Sequence, residues 1–447
     1  MKPIRIAWLA CFLVLTGLWL LADPLLWQQH TFIAIRNAFV NYTGLVAMGV
    51  MSVALMLATR PAVLEPALGG LDKMYRLHKW LGITALVMAI MHWAWTQAPQ
   101  WLVGLGLLQR SQRTRAGPPD DALLRFLQSQ RGAAETAGEW AFYAAVVLIA
   151  LALVKRFPYR YFFSTHRLLA VAYLVLVFHA LILMPATYWG QLIGPLMALL
   201  MAGGSMAAVL LLFRRAGRSR QAFGVVEQVT HHAEMNVLEV NIQLATRWAG
   251  HAAGQFAFVR FDGDAEPHPF TLSSAWQDDG RLLLLIKELG DYTASLPTRL
   301  HVGDVVRVEG PYGCFNFRGV KGVGQASGQI WIGGGIGITP FIARMKHLAL
   351  HPDSEPVDLI HTVPRLDDHA AASLEHDAEA AGVQLHVMLD ARDGRLTGER
   401  LRAMVPDWTV RSIWFCGPTG MGAALRRDLR AHGLRAAAFH QELFNLR

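Results

Sequence analysis

Cysteine is nearly missing from this chain: three residues in 447, at Cys11, Cys314 and Cys416. An odd number with no CxxC pair excludes a disulfide framework and a cysteine-built zinc site. It also suits a reducing compartment for the polar half of the chain. Charge is thin as well, at 17% against 53% hydrophobic residues. That is too apolar for an ordinary soluble protein and, with a mean hydropathy of +0.30, too polar for one lying wholly in lipid. No GxGxxG form and no EF-hand ligand pattern occurs, so a standard dinucleotide fingerprint and calcium control are both set aside. The net charge of +8 does not point to nucleic acid, because Lys and Arg crowd the ends of apolar runs, where membrane topology needs them.

Those runs fill the chain up to about Phe213. Six reach the roughly 20 residues that cross a bilayer as a helix: 4–22, 39–58, 76–96, 138–154, 163–184 and 188–213. The first is expected to be a retained span, since no clean small-residue cleavage site follows it. Lys2, Arg5, Arg60, Lys73, Arg76, Lys79, Lys155, Arg156, Arg160, Arg167, Arg214, Arg215, Arg218 and Arg220 then fall on one side if both termini are cytoplasmic. The opposing loop 97–137 carries Arg110, Arg113, Arg115, Arg125 and Arg131, spread over a greater length.

Four histidines sit where lipid-depth helices ordinarily avoid titratable groups. His78 and His92 lie fourteen residues apart in the third run, and His166 and His179 lie thirteen apart in the fifth. At 1.5 Å per residue these are rises of about 21 and 19.5 Å, close to the two faces of the hydrocarbon core. Both runs point the same way, so His78 is level with His166 and His92 with His179. Fourteen steps return to within some 40° of the starting direction, whereas thirteen leave the rings roughly 140° apart. A local bulge, or rings reaching in from different edges, is required in the fifth run. Facing imidazoles suit the axial positions of iron, and bundle cores commonly house such groups. The four are read as ligands of two haems, and His30 as a surface residue. No carboxylate stands inside the runs as a proton relay, which favours an electron conduit over a pump.

From about Gln221 the pattern changes to short alternating strands, "AFGVVEQVT", "NVLEVNIQL", "GQFAFVRF", "RLLLLIKEL" and "DVVRVEGPYG", at spacings that suit an antiparallel barrel. "QIWIGGGIGITPFIARMKHLAL" then reads strand, glycine turn, helix, and "VDLIHTV", "VQLHVML" and "RSIWFCGP" add strands of a parallel α/β sheet. In the glycine turn, Gly335 and Gly337 allow a backbone to approach pyrophosphate at a helix N-terminus that Thr339 can cap.

The ordered set "HPFTLSS", "GDYT", "EGPYG", "GGGIGITP", "FCGP" and "HQELF" resembles the ferredoxin–NADP reductase superfamily. With the paired histidines, nearly the whole chain resembles the NADPH oxidase and ferric reductase transmembrane flavocytochromes, in a bacterial form. The resemblance implies a six-helix membrane bundle over 1–215 with two haem b, a cytoplasmic FAD-binding β-barrel over 221–322, and an NAD(P)-binding α/β domain over 326–447. It implies that His268, Pro269, Phe270, Thr271, Ser273 and Ser274 hold FAD, Thr271 bonding the flavin ring, and that Gly290, Tyr292 and Thr293 lie near its pyrophosphate. Gly333, Gly334, Gly335, Gly337, Thr339 and Pro340 would receive the nicotinamide nucleotide. Cys416, Gly417 and Pro418 would line the nicotinamide, and Phe444 would stack on the flavin until nicotinamide displaces it; Phe444, Cys416 and Thr271 are thus the implied catalytic group. After "VDLIHTV", Arg365 is the one basic candidate for a 2′-phosphate, with Asp367 and Asp368 beside it repelling one. NADPH is expected, with NADH possible.

The expected activity passes electrons from cytoplasmic NAD(P)H through FAD and the haems to an acceptor outside a bacterial inner membrane, either dioxygen, giving superoxide, or a ferric chelate. The same chain serving a periplasmic protein or a quinone is an alternative. A membrane-anchored nucleotide sensor or transporter without haem is another, of a different class.

Overall fold

The computed structural model describes residues 2–23, 31–109, 122–154, 157, 159–317 and 328–442. Phe444, His30, Lys155, Arg156, Arg110, Arg113 and Arg115 lie outside the described residues. The chain divides into two compact units, one formed by most of the residues up to Ala216 and the other essentially by Gly217–Asn445.

The first unit is helical: α1 (Lys2–Ala22), α2 (Phe32–Ala58), α3 (Leu71–Gly104), α4 (Ala122–Leu153), α5 (Tyr159–Leu183) and α6 (Ile193–Leu212). Five of them, all but α3, contain stretches long and apolar enough to cross a membrane. The third expected run differs because its helix begins with Asp72, Lys73, Arg76 and Lys79 and ends through Gln97 and Gln100, with two histidines between. Large apolar side chains such as Ile6, Leu13, Val87, Leu168 and Leu199 are exposed, as a surface facing lipid would have them. Helices approach closely at small residues: a Cβ on Gly49 would lie 2.7 Å from Leu15, and one on Gly204 2.2 Å from the Tyr173 hydroxyl.

The loop expected over 97–137 is helical at both ends, to Gly104 and from Ala122. Pro99 stands inside α3. A proline has no N–H, so the Trp95 carbonyl four residues earlier loses its helical partner. Arg36 of α2 replaces it, donating from Nε to Trp95 O at 3.0 Å and from a terminal nitrogen to Thr96 O at 3.1 Å.

In the second unit, β1 (Gln221–His232), β2 (Val237–Leu244), β3 (Phe256–Phe261), β4 (His268–Thr271), β5 (Arg281–Lys287) and β6 (Val305–Tyr312) form one antiparallel sheet in the order β4-β3-β6-β1-β2-β5. Its two edges meet at a single antiparallel bridge between Leu272 and Leu284. Alternate residues point inward along β2, and Leu238, Val240, Ile242, Val259, Leu284 and Val308 make the core. Helix α7 (Asp291–Arg299) follows β5.

Beyond it, β7 (Gln329–Gly334), β8 (Val357–Val363), β9 (Gln384–Leu389), β10 (Ser412–Cys416) and β11 (Phe439–Gln441) form a parallel sheet in the order β11-β10-β7-β8-β9. Helix α8 (Thr339–Leu350) follows β7, and α9 (Asp368–Ala380) follows β8. The chain steps from β7 to β8 and β9 on one side, then crosses to β10 on the other. The carboxyl ends of β7 and β10 therefore flank a topological switch point, where open parallel sheets bind ligands.

Candidate functional site

The first site is built by helices. The structure brings His78 of α3 to His166 of α5, ring centres 5.9 Å apart, and His92 to His179, 6.2 Å apart. The interplanar angles are 69° and 83°. Helix α5 stays α-helical throughout, so no bulge offsets the thirteen-residue spacing. Its rings leave from different edges: His179 turns to the Ala134 carbonyl of α4, while His166 lies flat on Phe162, one turn back on its own helix.

Three of the four imidazoles are held through Nδ1 by a backbone carbonyl: His78 by Ala54 at 2.9 Å, His92 by Val40 at 2.9 Å and His179 by Ala134 at 2.8 Å. A carbonyl only accepts, so each Nδ1 carries the proton and each Nε2 keeps its lone pair. Thr43 Oγ1 also lies 3.5 Å from His92 Nδ1. His166 Nδ1 is buried with no hydrogen-bond partner among the described residues.

This donor set fits a metal held between two imidazoles. Bonds of about 2 Å on either side of a metal put facing ring centres roughly 6 Å apart. A hydrogen bond from Nδ1 to a carbonyl is the usual way a ligating histidine is fixed. Among the described residues no group of three or more His, Cys, Asp or Glu could hold a metal ion, so these rings act as pairs.

The second site gathers around β4. His268 stacks on Tyr292 at 3.5 Å between ring centres and 12° between planes, joining "HPFT" to "GDYT". Tyr292 in turn rests on Asp264, which neither motif contains. Its carboxylate accepts from the Tyr292 hydroxyl at 2.6 Å, from Arg299 at 2.7 Å and from the Phe261 amide at 3.0 Å, and it is buried. Burial, then the hydrogen bond to Asp264, push the Tyr292 phenol far up, while burial pushes the His268 imidazole down. Thr271 and Phe270 are half-buried and Pro269 is exposed. Ser273 is fully buried, its hydroxyl without a partner among the described residues, and Ser274 is engaged by the Leu283 amide and by His251 at 3.3 Å. Trp248, His251 and Trp276 cluster there, and burial drives the His251 pKa down to about 4. Gly290 precedes α7, and the Thr293 hydroxyl accepts from the Leu289 and Gly290 amides at 2.9 and 3.2 Å.

The third site is the switch point. Gly335 takes a left-handed φ of +57° with open space beside it, so its conformation is what demands glycine. Gly337 is required for a different reason: a Cβ there would stand 2.2 Å from the Cys416 carbonyl. One on Gly334 would lie 2.7 Å from Pro418. The "GGGIGITP" turn and the "FCGP" end of β10 are thus packed backbone to backbone. His361 of β8 bonds through Nδ1 to Gly333 O at 3.1 Å.

One expectation changes. Thr339 does not cap α8, because it is itself in helical conformation with Ile338 preceding it, and Pro340 follows without an N–H to bond. Asp367, expected to repel a phosphate, is the N-cap of α9 and accepts from the Ala370 amide at 2.6 Å. Arg365 is exposed beside it. The Cys416 side chain is buried in the core with Phe315, Trp331 and Phe341, and burial pushes its thiol well up. Asp264, Arg299 and His251 lay outside any recognisable motif; only the structure brings them to the site.

Comparison with known proteins agrees with this anatomy. Residues 43–177 match the family described as ferric reductase like transmembrane component, and residues 223–316 match an FAD-binding domain. The glycine betaine monooxygenase reductase subunit of Chromohalobacter salexigens is 28% identical over 208 residues, covering 43% of this chain and 55% of that protein. The heavy chain of a superoxide-generating NADPH oxidase of Dictyostelium discoideum is 26% identical over 222 residues, covering 44% and 39%. A crystal structure of a cytochrome P450 reductase from Amycolatopsis aligns with a TM-score of 0.44 and 26% identity, over 50% of this chain and 70% of that one. The chain spans about half the length of the first curated relatives it matches, 55% in each of two species. A ferric reductase-like transmembrane component and an FAD-binding domain therefore follow one another in this single polypeptide.

Proposed function

We propose that the protein carries electrons across a bacterial inner membrane, from NAD(P)H on the cytoplasmic side to a small acceptor outside. The observation that carries this reading is the pair of facing imidazole couples at 5.9 and 6.2 Å with Nδ1 held by carbonyls. They stand about 21 Å apart along α3. When bound, FAD would take the two electrons of a hydride and two haem b groups would take them singly.

The residues divide the work. His78 with His166, and His92 with His179, offer Nε2 to iron. Strand β4, with Thr271, Phe270 and Pro269 half-buried or exposed, borders the flavin, with His268, Ser273 and Ser274 beside it. The amide-rich start of α7 at Gly290, with Tyr292 and Thr293, suits a pyrophosphate. Gly333, Gly334, Gly335, Gly337, Thr339 and Pro340, with Cys416, Gly417 and Pro418, shape the crevice for the nicotinamide nucleotide. Arg365 is available to a 2′-phosphate, and Phe444 shields the flavin. Six spans, α3 among them, with both termini cytoplasmic, place the second unit beside its NAD(P)H, and the meeting edges of the antiparallel sheet support a barrel.

Dioxygen is the favoured acceptor, supported by the name of the Dictyostelium relative, with a ferric chelate as the competitor. The test supplies NADPH to the purified full chain and follows the Soret band, oxygen uptake with and without superoxide dismutase, and reduction of a ferric chelate. A Soret shift with uptake reduced by the dismutase is expected. A colourless protein apart from its flavin would sink the haem reading.

A further inference from the structure

The four imidazoles are not supported alike. In an α-helix the carbonyl of residue i also accepts from the amide of residue i+4. Where α2 offers Val40 O to His92, the residue four further on is Gly44. Where α4 offers Ala134 O to His179, it is Gly138. A Cβ at Gly44 would lie 3.0 Å from His92 Nδ1, and one at Gly138 2.0 Å from His179 Nδ1. Each glycine opens the space through which a ring reaches an already bonded carbonyl. His78 reaches Ala54 O at the very end of α2, where the residue four on is Ala58. Among the described residues His166 has no acceptor: its Nδ1 is buried and unpartnered there, and its face is covered by Phe162 at 5.0 Å and 12°.

We propose that the two ligand pairs are built as unequal donors, with Gly138 and Phe162 as the positioning residues that set the difference. An imidazole that donates through Nδ1 gains basicity at Nε2. A more basic ligand would favour ferric over ferrous iron, so a hydrogen bond behind the ligating ring would tune the haem potential. His92 and His179 are both strengthened in this way, whereas His78 is paired with an unassisted His166. The inference deepens the haem reading above and rests on it. Fixed charges act on whole sites: Arg36 is bonded to Trp95 O and Thr96 O just beyond His92, and Lys79 and Arg167 adjoin His78 and His166 in sequence. The comparison is therefore drawn within each pair.

The experiment is an optical potentiometric titration of the purified full chain with its haems, the two one-electron waves being assigned by His78→Ala. Gly138→Ala forces His179 off Ala134 O. It should raise the reduced-to-oxidised ratio of the His92–His179 wave about tenfold at a fixed potential, an upward shift of about 59 mV, and leave the other wave in place. Phe162→Gln supplies an acceptor to His166 Nδ1 and should lower the His78–His166 wave by a similar factor, whereas Phe162→Leu should not. If Gly138→Ala loses its haem, the Phe162 variants decide, together with pulsed EPR of the oxidised wild type, in which one remote imidazole nitrogen of four should differ. Four equivalent nitrogens, or a Phe162→Gln wave no lower than that of Phe162→Leu, would overturn the inference while leaving the haem reading intact. A chain without a Soret band would end both.

Discussion

The two units make their sites by opposite means. In the helical unit the chemistry lies in side chains, four imidazoles projecting from two helices, and the backbone serves them with carbonyls from α2 and α4. In the second unit the backbone itself shapes the switch point, through Gly334, Gly335 and Gly337, and side chains such as Asp264 act from behind. A helix satisfies its own amides and carbonyls, so in lipid only its side chains are free to hold a ligand. A parallel sheet ends in turns whose amides are unpaired, and those can face a phosphate directly. The difference predicts that the helical unit is sensitive at its histidines, at their glycines and at close helix contacts such as Gly49 and Gly204, and that the sheet unit is sensitive where no reactive side chain exists.

The sharpest break in that comparison comes from removing one ligand. His78→Ala should abolish electron transfer past the flavin while NAD(P)H-dependent reduction of a soluble dye survives. Loss of both, measured side by side on the same preparation, would mean that the histidine supports the fold and not a ligand. Next in size is Gly337→Val. The Cβ would meet the Cys416 carbonyl at 2.2 Å, and backbone cannot swing away as a side chain can. Overpacking of this kind costs about 1–3 kcal/mol. It should appear as a KM for NAD(P)H raised roughly tenfold per 1.4 kcal/mol, with the haem spectrum unchanged. An unchanged KM would show that the turn does not meet the nucleotide.

Much of the helical unit was legible because an imidazole in an apolar run stands out, and because helical rise alone pairs His78 with His166 and His92 with His179. Their partners were not legible. Val40, Ala54 and Ala134 contribute carbonyls, which every residue has, and glycine is common enough in membrane helices that Gly44 and Gly138 carry no signal by themselves. The continuation of α3 past residue 96 was not legible either, because Arg36, which takes up the Trp95 carbonyl freed by Pro99, is distant in sequence. In the second unit the strands were readable from their alternation. Asp367 shows the limit: its charge was visible, but its service as a helix cap depends on where α9 begins.

Asp264 tests whether the flavin-side motifs need their hidden anchor. Asp264→Ala leaves the Tyr292 hydroxyl and the Phe261 amide without their acceptor, at about 1–3 kcal/mol for a buried unsatisfied group. Arg299 is 40% exposed at its side chain, so its ion pair adds at most about 1 kcal/mol. The variant should lose FAD more readily in a dilution series followed by flavin fluorescence. Asp264→Asn, which keeps an acceptor, should recover most of the retention. Equal loss from both variants would point to the charge, and no loss from either would leave His268 and Tyr292 independent of it.

The smallest effect is one of pH. Burial is the main cause that holds the His251 pKa at about 4, below the usual value near 6.5. With the folded value below the unfolded one, protonation favours the unfolded chain. The stability that neutral His251 contributes is complete above about pH 6.5 and is lost as pH falls toward 4. His251 touches Ser274, Trp248 and Trp276, so the loss should appear first around the flavin. Flavin release on acidification is expected to begin below about pH 6.5 and to be flatter in His251→Gln, which cannot take the proton. An identical acid profile in that variant would place the sensitive group elsewhere, and the sheet unit's dependence on backbone geometry would then extend to its behaviour in acid.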